Sequence, residues 1–364
     1  ECHRPTQVGP MPLLTYDDAL AWSEMIREVV TQNRMPPWYA DPAYGEFSND
    51  RRLTKDDRAA LLAWVDGGCP KGDAKLMPPA KAYPEGWRIG KPDVVITMPE
   101  AYHVPAKAGS QGIEYQYFVV PTNFPEDVWV QAAEAKPGNA AVVHHIIAFA
   151  RPPDGGQRDR QDKVGNGFLV AYAPGDMPAV FSPGIAKRIA KGSDIIFQLH
   201  YTPNGMAGDD RSSVAFVFAK GPPRHEARTR AIEQNFLAIP KGASNHEVKV
   251  SSTFRRDAEL LSLMPHMHLR GKDFEYRVRF PDGKSEVLLS VPHYDFNWQS
   301  IYRLKRPLKL PAGTKIECTA HYDNSAGNPN NPDPTKNVFW GDQTWEEMMI
   351  GFVDYEYLKS EARK

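Results

Sequence analysis

Residues 194–203 read DIIFQLHYTP. Ile195, Phe197, Leu199 and Tyr201 alternate with Ile196, Gln198 and His200, the period of two that sends successive side chains to opposite faces of a strand. One face is core, and the other carries Gln198 and His200 together. Short runs of the same kind, bounded by Pro, Gly, Asn and Asp, recur on both sides of this stretch. Upstream they are DVVITMP (93–99), EYQYFVVP (114–121) and AVVHHIIAFA (141–150). Downstream they are SVAFVFAK (213–220), LLSLMPHMHL (260–269), FEYRVRF (274–280), KIECTAHYD (315–323) and MIGFVDYEYL (349–358). This succession predicts a mostly β chain built of antiparallel sandwiches or jelly rolls. The polar, Pro-bearing run GPPRHEARTR (221–230) divides it into two β modules of similar length, 93–222 and 223–364.

The N-terminal part follows a different period. Trp22, Met25, Ile26, Val29 and Val30 fall on one helical face, predicting a helix within residues 16–34. Thr54 can cap a second helix with Asp57 three residues on, burying Leu61, Leu62 and Val65. Residues 1–72 thus form a small α-helical domain, and 73–92, ending in MPPAKAYPEGWRIGKP, form a linker.

With 44 Lys and Arg against 45 Asp and Glu in 364 residues, the chain has no net field to attract nucleic acid or an anionic membrane. No apolar run approaches the roughly 18 residues of a membrane-spanning helix, so no transmembrane segment is expected. The chain begins at Glu1-Cys2-His3 without an initiating Met, which leaves secretion open. Cys2, Cys69 and Cys318 are too scattered for a disulfide framework.

The histidines carry the chemistry. His266 and His268, at i and i+2, share one strand face, and Pro265 before them favours an edge or a bulge. His144 and His145 are neighbours, which on a regular strand point apart, so joint ligation needs a bulge, a twist or different ring nitrogens. His103, His225, His246, His293 and His321 read as hydrogen-bonded or exposed strand residues. Neutral imidazoles suit Cu, Zn, Fe or Ni, and a thioether added to two of them shifts the preference toward Cu(I).

The order HH, QxHY, HxH and EEM resembles the copper type II, ascorbate-dependent monooxygenases, the family of the peptidylglycine alpha-hydroxylating and dopamine beta-monooxygenases. AVVHHIIAFA, IIFQLHYTP, PHMHLRGKDFEYRV and WEEMMIGF carry it, with EYQYFVVP upstream, over roughly residues 93–357. The resemblance implies two jelly-roll β-sandwich domains across an open cleft and two copper ions. His144, His145 and His200 would hold the electron-relaying copper. His266, His268 and Met348, preferred to Met349, would hold the oxygen-activating one, with Gln198 as an outer partner. It further implies O2, ascorbate or another electron donor, and a small-molecule or peptide-like substrate with an activated C-H bond. Two departures stand out: Met264 replaces the arginine that helps hold a peptide carboxylate, and Ile350 and Phe352 replace its assisting Asn and Tyr. Peptide amidation is therefore not expected, and the cysteine pattern of the animal enzymes is absent.

Cys2-His3 resembles the end of a CxxCH haem-attachment motif whose first cysteine would precede the chain as given. MPPW (35–38) followed by LTKDDRAALLAWVDGG (53–68) resembles the distal loop and last helix of a class I cytochrome c-like domain. This implies haem c held by Cys2, with His3 and Met35 as iron ligands, and a periplasmic or extracellular location. The leading expectation is a haem-linked copper monooxygenase. A non-catalytic haem and copper electron-transfer protein is the alternative, and a zinc hydrolase is weaker because no HExxH motif supplies a general base.

Overall fold

The structure, a computed structural model, describes residues 2–5, 7, 9–79, 81–83, 86–109, 112–153 and 167–358. The predicted outer bounds at residues 1 and 364 lie outside them. The chain divides into two compact units, Glu1–Trp38 with Asp50–Gly86, and Tyr39–Asn49 with Trp87–Lys364. Residues 39–49, expected in the helical domain, belong to the larger unit, and most of the expected linker belongs to the smaller one.

The smaller unit is helical. Its helices are Tyr16–Ala21, Ser23–Thr31 and Lys55–Asp66. The single helix expected within 16–34 is broken at Trp22, which ends one helix and caps the next. Thr15 and Asp18 form a capping box, which starts the first helix a few residues earlier than the apolar face alone suggests. The cap of Thr54 with Asp57 forms as the sequence indicates. Val30 and Val65 are buried, whereas Trp22 and Met25, read as part of the buried face, are 41% and 40% exposed.

The larger unit is β throughout, and every run quoted above as a strand is one. A nine-stranded sheet crosses its whole width. One half holds Val94–Thr97, Ser213–Phe218, Val128–Lys136 with the short Ala179–Val180 paired beside it, and Ile185–Ile189. The other holds His225–Glu233, Ile350–Tyr357, Ala258–His266 and Tyr302–Leu310. The halves join where His225 and Glu226 pair in parallel with Ile185 and Ala186. The polar run read as a boundary is therefore a strand, and it stitches the two modules together. Its alternation is weak because Ala227, Thr229 and Ala231, which it buries in alternation, are small, and its one large buried apolar residue, Ile232, falls out of that phase. The Ala-rich strand Val128–Lys136 escapes the sequence pattern for a related reason, being buried on both faces.

A four-stranded sheet covers each half. Gln116–Pro121, Asp194–Tyr201, Val143–Arg151 and Phe168–Tyr172 form the first, and His246–Thr253, Lys315–Tyr322, Gly271–Arg279 and Ser285–Val291 the second. Ile195, Phe197, Leu199 and Tyr201 enter the core of the first half with Ile146, Ala148, Val214 and Phe216. The predicted in-facing set is correct. His200, Gln198 and Ile196 occupy the opposite face, as do Ile147 and Phe149, which pack there with Phe168.

Candidate metal centre

Of the bulge, twist or different ring nitrogens that His144-His145 would need, the structure has a bulge. Val143 pairs with Tyr201 and His145 with His200, so the register slips by one residue and His144 is the extra one. Such a bulge lets two consecutive side chains lean to one side. The Nδ1 atoms of His144 and His145 are 3.2 Å apart, and those of His144 and His200 are 3.3 Å apart. Two nitrogens about 2.0–2.1 Å from one tetrahedral ion are roughly 3.3 Å apart, so this spacing is that of ligands about a common centre. Among the described residues these three form the group of His, Cys, Asp or Glu side chains whose ligand atoms all lie within 4.8 Å of one another. The Nε2 atoms of His144 and His145 are buried without a hydrogen-bond partner. The Nε2 of His200 lies 3.1 Å from Thr344 Oγ1.

The second set is built on Ala258–His266 and the residues after it. Pro265 is paired with Gly351 on one side and lies beyond Leu263, the last residue paired with Tyr302–Leu310 on the other. His266 Nδ1 is 2.5 Å from Gln299 Oε1, and His268 Nδ1 is 3.2 Å from the Glu346 carbonyl oxygen. When Nδ1 donates to an oxygen, the tautomer is fixed and Nε2 is left with its lone pair free, the arrangement typical of metal-binding histidines. The Nε2 of His268 is buried and unpartnered.

Strand parity separates the two methionines. Met264 lies opposite Phe352 and His266 opposite Ile350, and paired residues share a face. The ladder ends at His266 and Ile350; by parity Met348 goes with Ile350 and Phe352, and Met349 with Gly351. Met348 packs with Met264, Ile350 and Phe352, the residues on the histidine side.

The buried carboxylate of Glu347 holds the turn after His268. It accepts from the backbone N-H of His268 at 2.8 Å and of Arg270 at 2.7 Å. Burial pushes its carboxyl up to about 7 against the pull of those hydrogen bonds. The Arg270 guanidinium is tied to Asn324 Oδ1 and to the Trp345 carbonyl oxygen, each at 3.0 Å.

Burial also sets the charge of the histidines. It lowers His144 and His266 to about 4 and His268 to about 3. His145 and His200 are held well below the usual range, by burial first and then by repulsion from neighbouring histidines of both sets. All five rings are neutral near pH 7, the form that ligates metals. Two aromatic rings are shared by the two sets. Tyr115 has its ring centroid 5.3 Å from His145, 5.0 Å from His200 and 6.4 Å from His268. Phe296 stacks on His144 at 4.8 Å and lies 5.9 Å from His268.

The remaining predicted positions divide. Gln198 donates to the Tyr117 hydroxyl at 2.7 Å, and this is the side-chain hydrogen bond the structure gives it. His103 meets Asp209 and His321 meets Asp273, each at 2.7 Å, and His293 is exposed, as ordinary strand histidines would be. In the smaller unit His3 Nδ1 lies 3.2 Å from the Met11 carbonyl oxygen, which again leaves Nε2 free. Gly9 packs so closely on Cys2 and His3 that an added Cβ would come 2.7 Å from the Cys2 carbonyl oxygen and 2.9 Å from His3 Nδ1. Met35 is half-buried just after Ser23–Thr31, its N-H directed to the Val29 carbonyl oxygen. Tyr115, Phe296, Gln299, Thr344 and Glu347 were not singled out by sequence as site residues. Tyr115 alone had a usable signal, since it shares a face with Tyr117 and the pairing of Tyr117 with Gln198 leads to His200.

No family model matches the chain, and no curated protein matches it. Among solved structures it is similar to PNGF-II, at 11% identity over 72% of this chain and 65% of that one, with a TM-score of 0.30. It thus spans less than two thirds of PNGF-II. The major capsid protein P2 of bacteriophage PM2 matches at 8% identity over 72% of this chain and 99% of that one, TM-score 0.29. Allantoicase from Saccharomyces cerevisiae matches at 7% identity over 67% and 78%, TM-score 0.21. At such scores none of these likenesses assigns the chain a fold family or an activity. No helix among the described residues is long and apolar enough to cross a membrane.

Proposed function

We propose that this chain is a copper-dependent monooxygenase of the copper type II class, with two mononuclear sites. One is held by His144, His145 and His200, the other by His266, His268 and Met348. The observation that carries the reading is the clustering of His144, His145 and His200, with the Nδ1 of His144 3.2 Å and 3.3 Å from those of the other two and all three ligand atoms within 4.8 Å, on a bulge at His144. Tethered Nδ1 atoms at His266 and His268, and a thioether on their face, support the second site. Imidazoles with a thioether favour Cu(I) over harder ions. Copper bound there supplies one-electron redox chemistry and dioxygen activation for hydroxylating a C-H bond. The protein's part is to keep the imidazoles neutral, to orient them through Gln299 and the Glu346 carbonyl, and to exclude bulk water.

The surroundings of Met348 bear on the substrate. Where the peptide enzymes hold a carboxylate, Met264, Ile350 and Phe352 form an apolar cluster with Ala231 and Ile301. An unpaired anion buried there would be costly, so the substrate presents an apolar C-H group.

The finer architecture belongs to the same proposal. It comprises two jelly-roll domains and a cytochrome c-like domain whose haem c, held by Cys2, His3 and Met35, passes electrons inward, in a periplasmic or extracellular protein. The free Nε2 of His3 suits an iron ligand. Ascorbate or another reductant would supply the electrons. Deep burial of the ligands is the observation that favours the alternative, a haem and copper protein that only transfers electrons.

Metal analysis of protein isolated without added metal, followed by O2 uptake of the reduced protein with apolar candidate substrates, tests this. Two equivalents of copper and substrate-dependent O2 consumption are expected. Two equivalents of zinc and no copper would sink the proposal. Copper and haem that cycle without O2 uptake would favour electron transfer.

A further inference from the structure

Residues 292–300, between Ser285–Val291 and Tyr302–Leu310, touch both histidine sets. Tyr294 fastens this loop to the backbone between His266 and His268. Its hydroxyl donates to the Met267 carbonyl oxygen at 2.8 Å and accepts from the Met267 N-H at 3.1 Å. Gln299 orients His266 at 2.5 Å. Between these two anchors Phe296, itself buried, stacks on His144 with its ring centroid 4.8 Å away and an interplanar angle of 15°. It also lies 5.8 Å from His200 and 5.9 Å from His268.

His144 is the ligand most in need of such a partner. It is the inserted residue of the bulge and half-buried, whereas His145 and His200 are 4% and 6% exposed and sit in regular pairing. Within its own sheet its ring meets His200 and His145 edge-on, at 4.9 Å and 5.5 Å, and Phe296 supplies the parallel stacking face. The first set is therefore completed by a loop whose position is dictated by the second.

We propose that Phe296 is a positioning residue that couples the two histidine sets, so that occupancy of either tightens binding at the other. The proposal rests on the reading that both sets bind copper. An ion at His266 and His268 holds the 266–268 segment and, through Tyr294 and Gln299, the loop. The loop holds His144. Coupling of this kind is reciprocal.

Competition of the full chain against a Cu(I) chelator, resolved by site, measures affinity at His144, His145 and His200. Four proteins form a cycle: wild type, Phe296→Leu, His266→Ala and the double variant. Phe296→Leu is expected to weaken the first site about 3- to 10-fold, the range of an aromatic stacking contact. His266→Ala is expected to weaken it about 5-fold or more, the lower end of measured couplings. The double variant should lose no more than the larger single loss, because both act through one loop. Phe296→Tyr, which keeps the ring, should restore wild-type affinity, and thermal unfolding checks that each variant is folded. A first-site affinity within twofold of wild type in Phe296→Leu, or losses that multiply in the double variant, overturns the coupling alone. A wild-type chain that takes up no Cu(I) overturns the copper reading as well.

Discussion

Replacing Met348 with Leu separates the two adjacent methionines in one experiment. Met348 is 7% exposed and Met349 is 0% exposed, so by burial alone they are indistinguishable. Met→Leu conserves volume and costs less than about 1.5 kcal/mol in a packed core, so both variants should fold. Their effects on metal should differ sharply. Disturbing an outer partner of a metal ligand already costs about 10- to 100-fold in affinity. Removal of a ligand sulfur from a three-residue set should cost at least the upper figure, on the order of 2.7 kcal/mol. Met348→Leu should therefore weaken Cu(I) binding at His266 and His268 by about 100-fold or more, and Met349→Leu, on the face of Gly351, should leave it within about twofold. Chelator competition gives the affinity, and copper X-ray absorption gives the ligand. A sulfur scatterer should persist in Met349→Leu and vanish in Met348→Leu. The reverse pattern, or sulfur lost in neither, refutes the register argument.

Two further outcomes follow from buried charge. Lys187 Nζ lies 3.2 Å from Asp354, which also accepts from Thr229 and Ser262, and the pair spans the two halves of the large unit. Lys187→Met leaves that carboxylate buried without its cation, and breaking such a pair typically costs about 3–5 kcal/mol. Thermal unfolding should fall by on the order of 10 °C, and a shift under about 2 °C would show the pair to be dispensable. The second concerns pH in the metal-free protein. His266 and His268 are lowered to about 4 and about 3 by burial, whereas unfolded histidine titrates near about 6.5. Below that value the unfolded chain binds protons that the folded one does not, so stability falls as pH drops. At about pH 5 each ring should have cost roughly 2 kcal/mol. Urea midpoints should drop between pH 7.5 and 5, and equal midpoints would contradict the buried neutral rings.

The grouping of His144, His145 and His200 came from the order of the motifs, and of the three devices that could bring the adjacent pair together, a bulge, a twist or different ring nitrogens, the structure shows the bulge. The capped helix at Thr54 was legible through its paired Thr and Asp. The strand His225–Glu233 was not, since small buried residues among charges carry no hydrophobic signal. Phe296 and Gln299 were equally invisible, as they act from an irregular loop without a period. The close approach of the two sets was also beyond sequence, since it depends on a pairing between residues about forty positions apart, Ile185 and His225.

The placement of Ile350–Tyr357 has a consequence for biogenesis. It is the last of the described strands to be synthesised, yet it sits in the interior of the nine-stranded sheet, between His225–Glu233 and Ala258–His266. Until it emerges from the ribosome, both neighbours present unpaired edges, the condition that invites misassociation. Met348 lies just before it in the chain. The strands that carry His144, His145 and His200 are therefore complete in the growing chain well before the strand that ends at His266 gains its last sheet neighbour.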